Sequence, residues 1–153
     1  MIDERKARDG ESKHIDADLV LVGIGMLPNA ELASEAGLAV TNGIVVDEDT
    51  RTSDPAIFAI GDCTNQRHPY VSQRIRLESV PNAIEQAKIA ASVMMGLPLP
   101  KRTVPWFWSE QYGLKLQMVG LSCGYERCIL RRYEGTQDFV AFYRKKEAEG
   151  PAL

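Results

Sequence analysis

The chain has 153 residues, of which 44% are apolar and 25% are charged, and its formal net charge is −3. This size suits one domain or parts of two, and the charge gives no indication of a nucleic-acid partner or a membrane surface. No apolar run approaches the ~20 residues that a membrane helix needs. Three cysteines are too few for a disulfide scaffold, so we expect a protein of the reducing cytoplasm.

The first part of the sequence has the pattern of an α/β sheet. Residues 17–25 (ADLVLVGIG) are a continuous apolar run and predict a buried strand. Residues 28–37 (PNAELASEAG) predict a short helix that is capped by Asn29 and ends at its glycine. An Asn-Gly pair within residues 38–47 is a strong hairpin signal. Residues 57–60 (IFAI) predict the next strand.

A longer helix is predicted over residues 80–96 (VPNAIEQAKIAASVMMG), after a polar loop over residues 64–79. Pro81 suits the first helical turn, because an N–H at that position has no partner within the helix. Small residues recur at helical spacing and predict a face that packs closely against a sheet. The side chains expected to be buried there are Ala83, Ala87 and Ala91.

Residues 97–105 (LPLPKRTVP) contain three prolines and predict a boundary between two regions. The runs KLQMVGL, RCILRRY and DFVAFYR follow and predict an antiparallel sheet. The expected fold class is α/β followed by α+β. Residues 1–97 form the first expected domain, residues 98–103 the linker and residues 104–153 the second domain.

Two short motifs have a chemical and a structural interpretation. Val22–Gly25 (VGIG) has the opening of a dinucleotide phosphate loop, but Pro28 stands where that loop requires glycine or alanine. A strand that ends in a glycine turn is therefore the favoured interpretation. Cys123 and Cys128 have a spacing used by redox-active disulfides, but they flank a Gly-Tyr turn rather than a helix start. We therefore favour two incidental thiols.

The histidines and a group of arginines give weak signals. His14 and His68 have no partner at an informative spacing, so we expect surface residues. No catalytic acid or base and no metal site is predicted. Arg67, Arg74 and Arg76 cluster in the predicted loop; they indicate a solvated face or, alternatively, a docking surface for an acidic partner.

The most informative stretch is residues 52–63 (TSDPAIFAIGDC), in which a short strand ends on Gly61 and Asp62. Such an ending brings backbone close to another group and directs one acceptor toward it. Together with the later motifs ESVPNAIEQA and PWFWSEQY, this stretch resembles the FAD-dependent NAD(P)H:ferredoxin reductase family of the putidaredoxin reductase and rhodocoxin reductase type. Residues 17–38 also resemble the part of that family where the chain leaves the NAD domain and re-enters the FAD domain.

The resemblance implies a partial FAD/NAD(P)-binding domain of the pyridine nucleotide-disulfide oxidoreductase type, followed by a truncated reductase C-terminal antiparallel β domain. It implies FAD as cofactor, NAD(P)H as substrate of the parent enzyme, and a [2Fe–2S] ferredoxin as partner. It also implies that Asp62 accepts a hydrogen bond from a ribityl hydroxyl of FAD and that the helix start at Val80 faces the flavin pyrimidine edge. The cofactor-binding residues expected on this basis are Gly61, Asp62, Glu78, Val80, Pro81 and Trp108. Trp106 is expected to be a core aromatic residue.

The two glycine-rich phosphate loops of that family are absent from this sequence. We therefore expect a C-terminal fragment or a truncated gene product of a flavoprotein that passes electrons from NAD(P)H through FAD to a ferredoxin. The alternatives are an inactive remnant, a partner-dependent FAD-binding fragment without turnover, and a relative of flavin reductases that do not use ferredoxin. The isolated chain is expected to be inactive, and to self-associate or require a missing N-terminal half.

Overall fold

The computed structural model describes residues 16–69 and 71–145. Within these residues, no helix is long and apolar enough to cross a membrane. The elements in chain order are α1 (Glu31–Glu35), β1 (Ile44–Val45), β2 (Thr64–His68), β3 (Val71–Ile75), α2 (Val80–Met94), β4 (Trp106–Gln111), β5 (Leu114–Val119), β6 (Arg127–Arg132) and β7 (Phe139–Arg144).

A three-stranded mixed sheet organises the first part of the described chain. Its order is β1-β2-β3, with β1 parallel to β2 and β2 antiparallel to β3. The predicted Asn-Gly turn leads into β1 and is confirmed, because Asn42 and Gly43 both have positive φ angles, of 46° and 113°. The prediction of a polar loop over residues 64–79 is wrong, since β2 and β3 lie there. The buried side chains of β2 are polar and no described side chain of β3 is fully buried, so neither strand has the apolar pattern by which strands are recognised.

Two apolar runs that the sequence predicts as strands are not strands in the structure. The run at residues 17–25 pairs with no strand of the described chain. Its apolar side chains are all exposed, and three of them almost fully: Leu19 by 87%, Leu21 by 95% and Ile24 by 93%. A buried parallel strand needs hydrogen-bonding neighbours, and the described residues supply none to this run. Residues 57–60 form only an isolated bridge, between Phe58 and Arg51.

The short helix α1 is confirmed, with one correction at its start. Its N-cap residue is Ala30 and no side chain caps it, so the prediction of a cap by Asn29 is wrong. The helix ends as predicted, because Gly37 has a φ of 77° and its N–H donates to the Ser34 carbonyl at 3.0 Å.

Helix α2 confirms the predicted longer helix. Ser79 is its N-cap, with a hydroxyl that accepts from the Asn82 N–H at 3.3 Å, and Pro81 lies in the first turn. The predicted buried face is wrong, because Ala87 and Ala91 are exposed and Ala83 is only half-buried. The helix instead buries these side chains: Asn82, Gln86, Ile89 and Ala90. The side-chain amide of Gln66 on β2 is a hydrogen-bond partner of both Asn82 and Gln86, which favours this face of the helix being turned inward.

The last four strands form two separate antiparallel hairpins within the described residues. β4 pairs with β5, and β6 pairs with β7. Tyr112 and Gly113 connect β4 to β5 and both have positive φ angles, the conformation of a two-residue hairpin loop. The predicted antiparallel strands are confirmed, although they do not join into one sheet.

Candidate functional site

The Gly61-Asp62 turn is fixed by hydrogen bonds to both backbone groups of its glycine. Gly61 has a φ of 85°, which favours glycine, and its N–H donates to Gln86 Oε1 on α2 at 2.7 Å. Its carbonyl accepts from the Thr64 N–H at 3.1 Å and from the Thr64 hydroxyl at 2.8 Å. A Cβ added to Gly61 would lie 3.8 Å from the Ala83 Cβ, so the turn rests directly on the helix.

Asp62 lies in the same turn, and its carboxylate has no partner among the residues that the structure describes. Its residue is half-buried, and no hydrogen bond or ion pair within residues 16–69 and 71–145 engages it. A carboxylate that no internal group engages can accept a hydrogen bond from a ligand hydroxyl without first losing a partner. The turn therefore has the acceptor that the predicted contact to the ribityl chain of FAD requires.

The start of α2 lies beside the same turn. Ser79 caps it, and the following Val80 is exposed, so the helix end is open to a ligand. A helix N-terminus carries partial positive charge and favours a group on which negative charge develops. Glu78 immediately precedes the cap and forms an ion pair with the guanidinium of Arg76. The side chain of Glu78 is thus held next to the helix start.

The two tryptophans lie close to this helix start through β4. A small cavity of about 20 Å³ separates α2 from the chain before β4, and both Pro81 and Trp106 line it. The indole of Trp108 stacks on that of Trp106, with ring centroids 4.8 Å apart. The expectation that Trp106 is a core residue is wrong, because it is 41% exposed. A partly exposed indole pair beside α2 can offer a flat apolar face to an aromatic ligand.

His68 is buried, so the expectation of a surface histidine is wrong. Burial lowers its pKa, the nearby Arg102 lowers it further, and Glu85 opposes the shift. Glu85 also accepts hydrogen bonds from the N–H and the hydroxyl of Thr103, at 2.7 and 2.6 Å. The segment before β4 is in this way attached to α2, close to His68.

The stability of the chain should fall as the pH drops below about 6.5, the ordinary pKa of histidine. His68 binds a proton more weakly in the folded state than in the unfolded state, because its pKa is lowered by burial, so protonation favours unfolding in this range. Urea unfolding followed between about pH 5.5 and 7.5 should show this loss. His68→Gln should flatten the dependence, while His14→Gln serves as the control. An equally steep profile in His68→Gln would contradict the assignment.

Two of the three clustered arginines are engaged inside the fold. Arg74 donates to the carbonyls of Val46 and, at 2.6 Å, Asn65. Arg76 is paired with Glu78, and Arg67 alone of the three is exposed. The arginine group therefore stabilises the sheet and the helix start rather than presenting three free positive charges.

The cysteines show no feature of a redox centre. Cys63, Cys123 and Cys128 are all free thiols. Cys128 lies on β6 opposite Tyr143 rather than at a helix start that could activate a thiolate. In the part of the chain that the structure describes, no group of three or more His, Cys, Asp or Glu residues could hold a metal ion.

Sequence reasoning missed three buried amide side chains next to the candidate site. Gln66, Asn82 and Gln86 are hydrogen-bonded to one another between β2 and α2. A signal was present, because Asn82 and Gln86 are four residues apart and therefore share one helix face. The alanines at helical spacing form a more apolar pattern, so the sequence favoured them, and not the amides, as the buried face of the helix.

Comparison with known proteins agrees with this arrangement. Residues 2–87 match the family "Pyridine nucleotide-disulphide oxidoreductase", and residues 106–149 match the family "Reductase C-terminal". The first match covers more than half of the chain.

Individual relatives are similar over most of this chain but over little of their own length. Putidaredoxin reductase from Pseudomonas putida is 49% identical over 133 residues, which cover 87% of this chain and 32% of that protein. Rhodocoxin reductase from Rhodococcus erythropolis is 53% identical over 117 residues, which cover 76% of this chain and 27% of that protein. The crystal structure of a covalent putidaredoxin reductase–putidaredoxin complex matches with a TM-score of 0.79 and 48% identity, over 91% of this chain and 33% of that chain.

The chain thus spans about a third of the length of these relatives. Two consecutive family patterns, high identity and a shared fold lead to the same assignment. The chain belongs to the pyridine nucleotide-disulphide oxidoreductase family, and it is similar to putidaredoxin reductase and rhodocoxin reductase.

Proposed function

We propose that this chain forms part of a flavoprotein oxidoreductase that passes electrons from NAD(P)H through FAD to a [2Fe–2S] ferredoxin. The observation that carries the proposal is the Gly61-Asp62 turn, which is hydrogen-bonded to α2 and presents an unengaged carboxylate. The reductases that this chain resembles, and the complex of one of them with putidaredoxin, support the direction of electron flow.

The residues proposed to hold FAD have different roles. Asp62 accepts a hydrogen bond from a ribityl hydroxyl, and Gly61 allows the close approach of the cofactor. The backbone at Val80 and Pro81 places the positive end of α2 at the flavin pyrimidine edge, with Glu78 beside it. Trp108 offers a ring face to the isoalloxazine. Bound FAD would supply the hydride acceptance and the one-electron donation, so no side chain needs to act as a catalytic acid or base.

The domain organisation belongs to the same proposal. Residues 1–97 form the C-terminal part of the FAD/NAD(P)-binding region, residues 98–103 link it to the next part, and residues 104–153 form a truncated reductase C-terminal domain. The two family matches, to residues 2–87 and 106–149, are compatible with this division. A cytoplasmic location remains a prediction that is compatible with the three free thiols.

A second candidate is a fragment that has no turnover by itself and needs a partner chain. The exposed apolar side chains of residues 17–25 and of the two hairpins favour it. Such surfaces promote self-association or binding to a second polypeptide. The sequence also has no glycine-rich loop for the pyrophosphate of FAD or for NAD(P)H.

The 153-residue chain alone should contain less than stoichiometric FAD and should not oxidise NADH at a useful rate. Without phosphate loops, the hydride donor and acceptor cannot be held at the roughly 3–3.5 Å that transfer requires. A hybrid reductase, in which this chain replaces the matching third of the Pseudomonas putida putidaredoxin reductase, should bind FAD and reduce ferricyanide and a [2Fe–2S] ferredoxin. Flavin absorbance measures the bound FAD, and the rate of NADH oxidation measures the reduction of ferricyanide and of the ferredoxin.

Three outcomes of this comparison would be informative. A hybrid reductase that folds but binds no FAD would contradict the proposed function. A hybrid that reduces ferricyanide but not ferredoxin would leave the flavin assignment in place and contradict the acceptor. Robust turnover by the isolated chain would contradict the expectation that it needs a further part.

A further inference from the structure

A continuous series of amide hydrogen bonds connects the backbone before α2 to the Gly61-Asp62 turn. Asn82 Nδ2 donates to the Leu77 carbonyl at 2.9 Å, and Asn82 Oδ1 accepts from Gln66 Nε2 at 2.7 Å. Gln66 Oε1 accepts from Gln86 Nε2 at 3.1 Å. Gln86 Oε1 then accepts from the Gly61 N–H at 2.7 Å. We call these three side chains, Asn82, Gln66 and Gln86, the amide relay.

The amide relay has one direction, which is set by its two ends. The Leu77 carbonyl can only accept and the Gly61 N–H can only donate. Each of the three amides between them must therefore donate on one side and accept on the other. Rotating any single amide by half a turn would place two oxygens or two NH₂ groups in contact. Only one orientation of each of the three amides therefore satisfies both ends of the relay.

Because the relay is buried, a wrong order of donors and acceptors would leave polar groups without a hydrogen-bond partner. Gln86 is 1% exposed and Gln66 is 2% exposed, so water cannot replace a broken bond in the relay. Gln86 Oε1 also lies 3.0 Å from the Thr64 hydroxyl, the group that in turn contacts the Gly61 carbonyl. The Gly61 N–H is therefore held by Gln86 Oε1, whereas the Gly61 carbonyl is held by Thr64, whose single hydroxyl proton is shared between that carbonyl and Gln86 Oε1.

We propose that Gln86, through the amide relay, is a positioning residue that fixes the backbone of the Gly61-Asp62 turn, and thus the origin of the Asp62 side chain, relative to the start of α2. The relay connects Leu77, which precedes Glu78 and the helix cap, with Gly61, which precedes Asp62. It thereby joins the two backbone segments that supply the proposed FAD contacts. This inference rests on the proposed function for its purpose, whereas the relay itself can be tested in the chain without flavin.

The first test removes the amide of Gln86 while keeping its length, with Gln86→Met. The Gly61 amide, measured by NMR hydrogen exchange in the 153-residue chain, should exchange about tenfold faster or more than in the wild type. The Val46 N–H, which donates to the Asn65 carbonyl at 3.1 Å, is the internal reference for general loss of stability. Gln73→Met, on the exposed part of β3, is the matched control and should change neither amide.

A Gly61 amide that exchanges as slowly in Gln86→Met as in the wild type would overturn the proposal. Equal acceleration at Gly61 and Val46 would also overturn it, because the effect would then be loss of stability and not loss of position.

The second test uses the direction of the relay, with Gln86→Glu. A protonated carboxyl can accept from Gly61 and donate to Gln66, as glutamine does, whereas an ionised carboxylate puts two acceptors in contact somewhere in the relay. Burial raises the pKa of the introduced carboxyl, so the stability of Gln86→Glu relative to the wild type should be greatest at low pH and should fall as the pH rises toward that pKa. A Gln86→Glu profile that is identical to the wild-type profile would contradict the proposed direction.

The third test separates position from stability in the hybrid reductase. Gln86→Met should weaken FAD binding by about tenfold, whereas Ile89→Ala, which disturbs the same helix outside the relay, should weaken it less at equal loss of stability. If FAD affinity follows stability alone in both variants, the positioning role is wrong. If the hybrid binds no FAD but the exchange and pH results hold, the relay stands and the proposed function fails.

Discussion

Asp62→Ala should weaken FAD binding by the hybrid reductase roughly ten- to a hundredfold. The hydrogen bond from a ribityl hydroxyl to a carboxylate is charge-assisted, and such bonds contribute about 1.5–3 kcal/mol. The Asp62 carboxylate has no partner within the described residues, so its removal leaves no internal donor unsatisfied. The loss should therefore appear in the flavin dissociation constant and not in the stability of the protein, and flavin fluorescence measures the former.

Two further variants define what the Asp62 experiment means. Asp62→Asn keeps one acceptor oxygen without the charge, so its effect should be smaller than that of alanine. Asp138→Ala removes an exposed carboxylate on the β6–β7 hairpin and should leave FAD affinity unchanged. An unaltered dissociation constant in Asp62→Ala would show that this carboxylate does not contact the cofactor.

Gly43→Ala should destabilise the chain by roughly 2–5 kcal/mol, the sum of a strained backbone conformation and steric overlap. Gly43 has a φ of 113°, and a Cβ there would lie 2.7 Å from the Cys63 carbonyl oxygen and 3.2 Å from Arg76 Cδ. The same carbonyl accepts the Ile44 N–H at 2.8 Å and so aligns β1 with the Gly-Asp turn. A typical domain has a total stability of only about 5–15 kcal/mol, so the loss is large.

Urea unfolding followed by the far-ultraviolet circular dichroism of α2 would measure the Gly43 effect. Gly37→Ala is the matched control, because Gly37 also has a positive φ, of 77°, but has no atom within 4 Å of an added Cβ. Its cost should be only the roughly 1–2 kcal/mol of the left-handed conformation. Equal losses of unfolding free energy in the two variants would mean that steric overlap with Cys63 and Arg76 does not contribute to the effect of Gly43→Ala.

The elements that could be predicted from the sequence are those with a strong local signal. Helix α2, the Asn-Gly turn and the C-terminal antiparallel strands each have their own propensity, turn residues or helix cap. The predicted strand at residues 17–25 was wrong because an apolar run becomes a strand only when another strand pairs with it. Strand β2 was missed because its buried positions are polar, and β3 was missed because it has no pattern of buried apolar side chains among its described residues.

The candidate site was predicted only in part for a similar reason. Gly61 and Asp62 stand out in the sequence, since a glycine and an acceptor end a β-like run. The relay was not predicted, because Gln66 and Gln86 are separated by 20 positions and acquire their roles only when β2 lies against α2. Single polar residues in a sequence give no indication of whether water or another side chain will satisfy them.

The hairpin β4–β5 has a consequence for every unfolding experiment on this chain. Both tryptophans of the sequence, Trp106 and Trp108, lie on β4. A two-stranded hairpin is marginally stable by itself, so it can open while α2 and the sheet beside it remain folded. Intrinsic fluorescence would then follow the opening of this hairpin, and circular dichroism would follow the helix. Two transitions that do not coincide would mean that no single free energy of unfolding describes the chain.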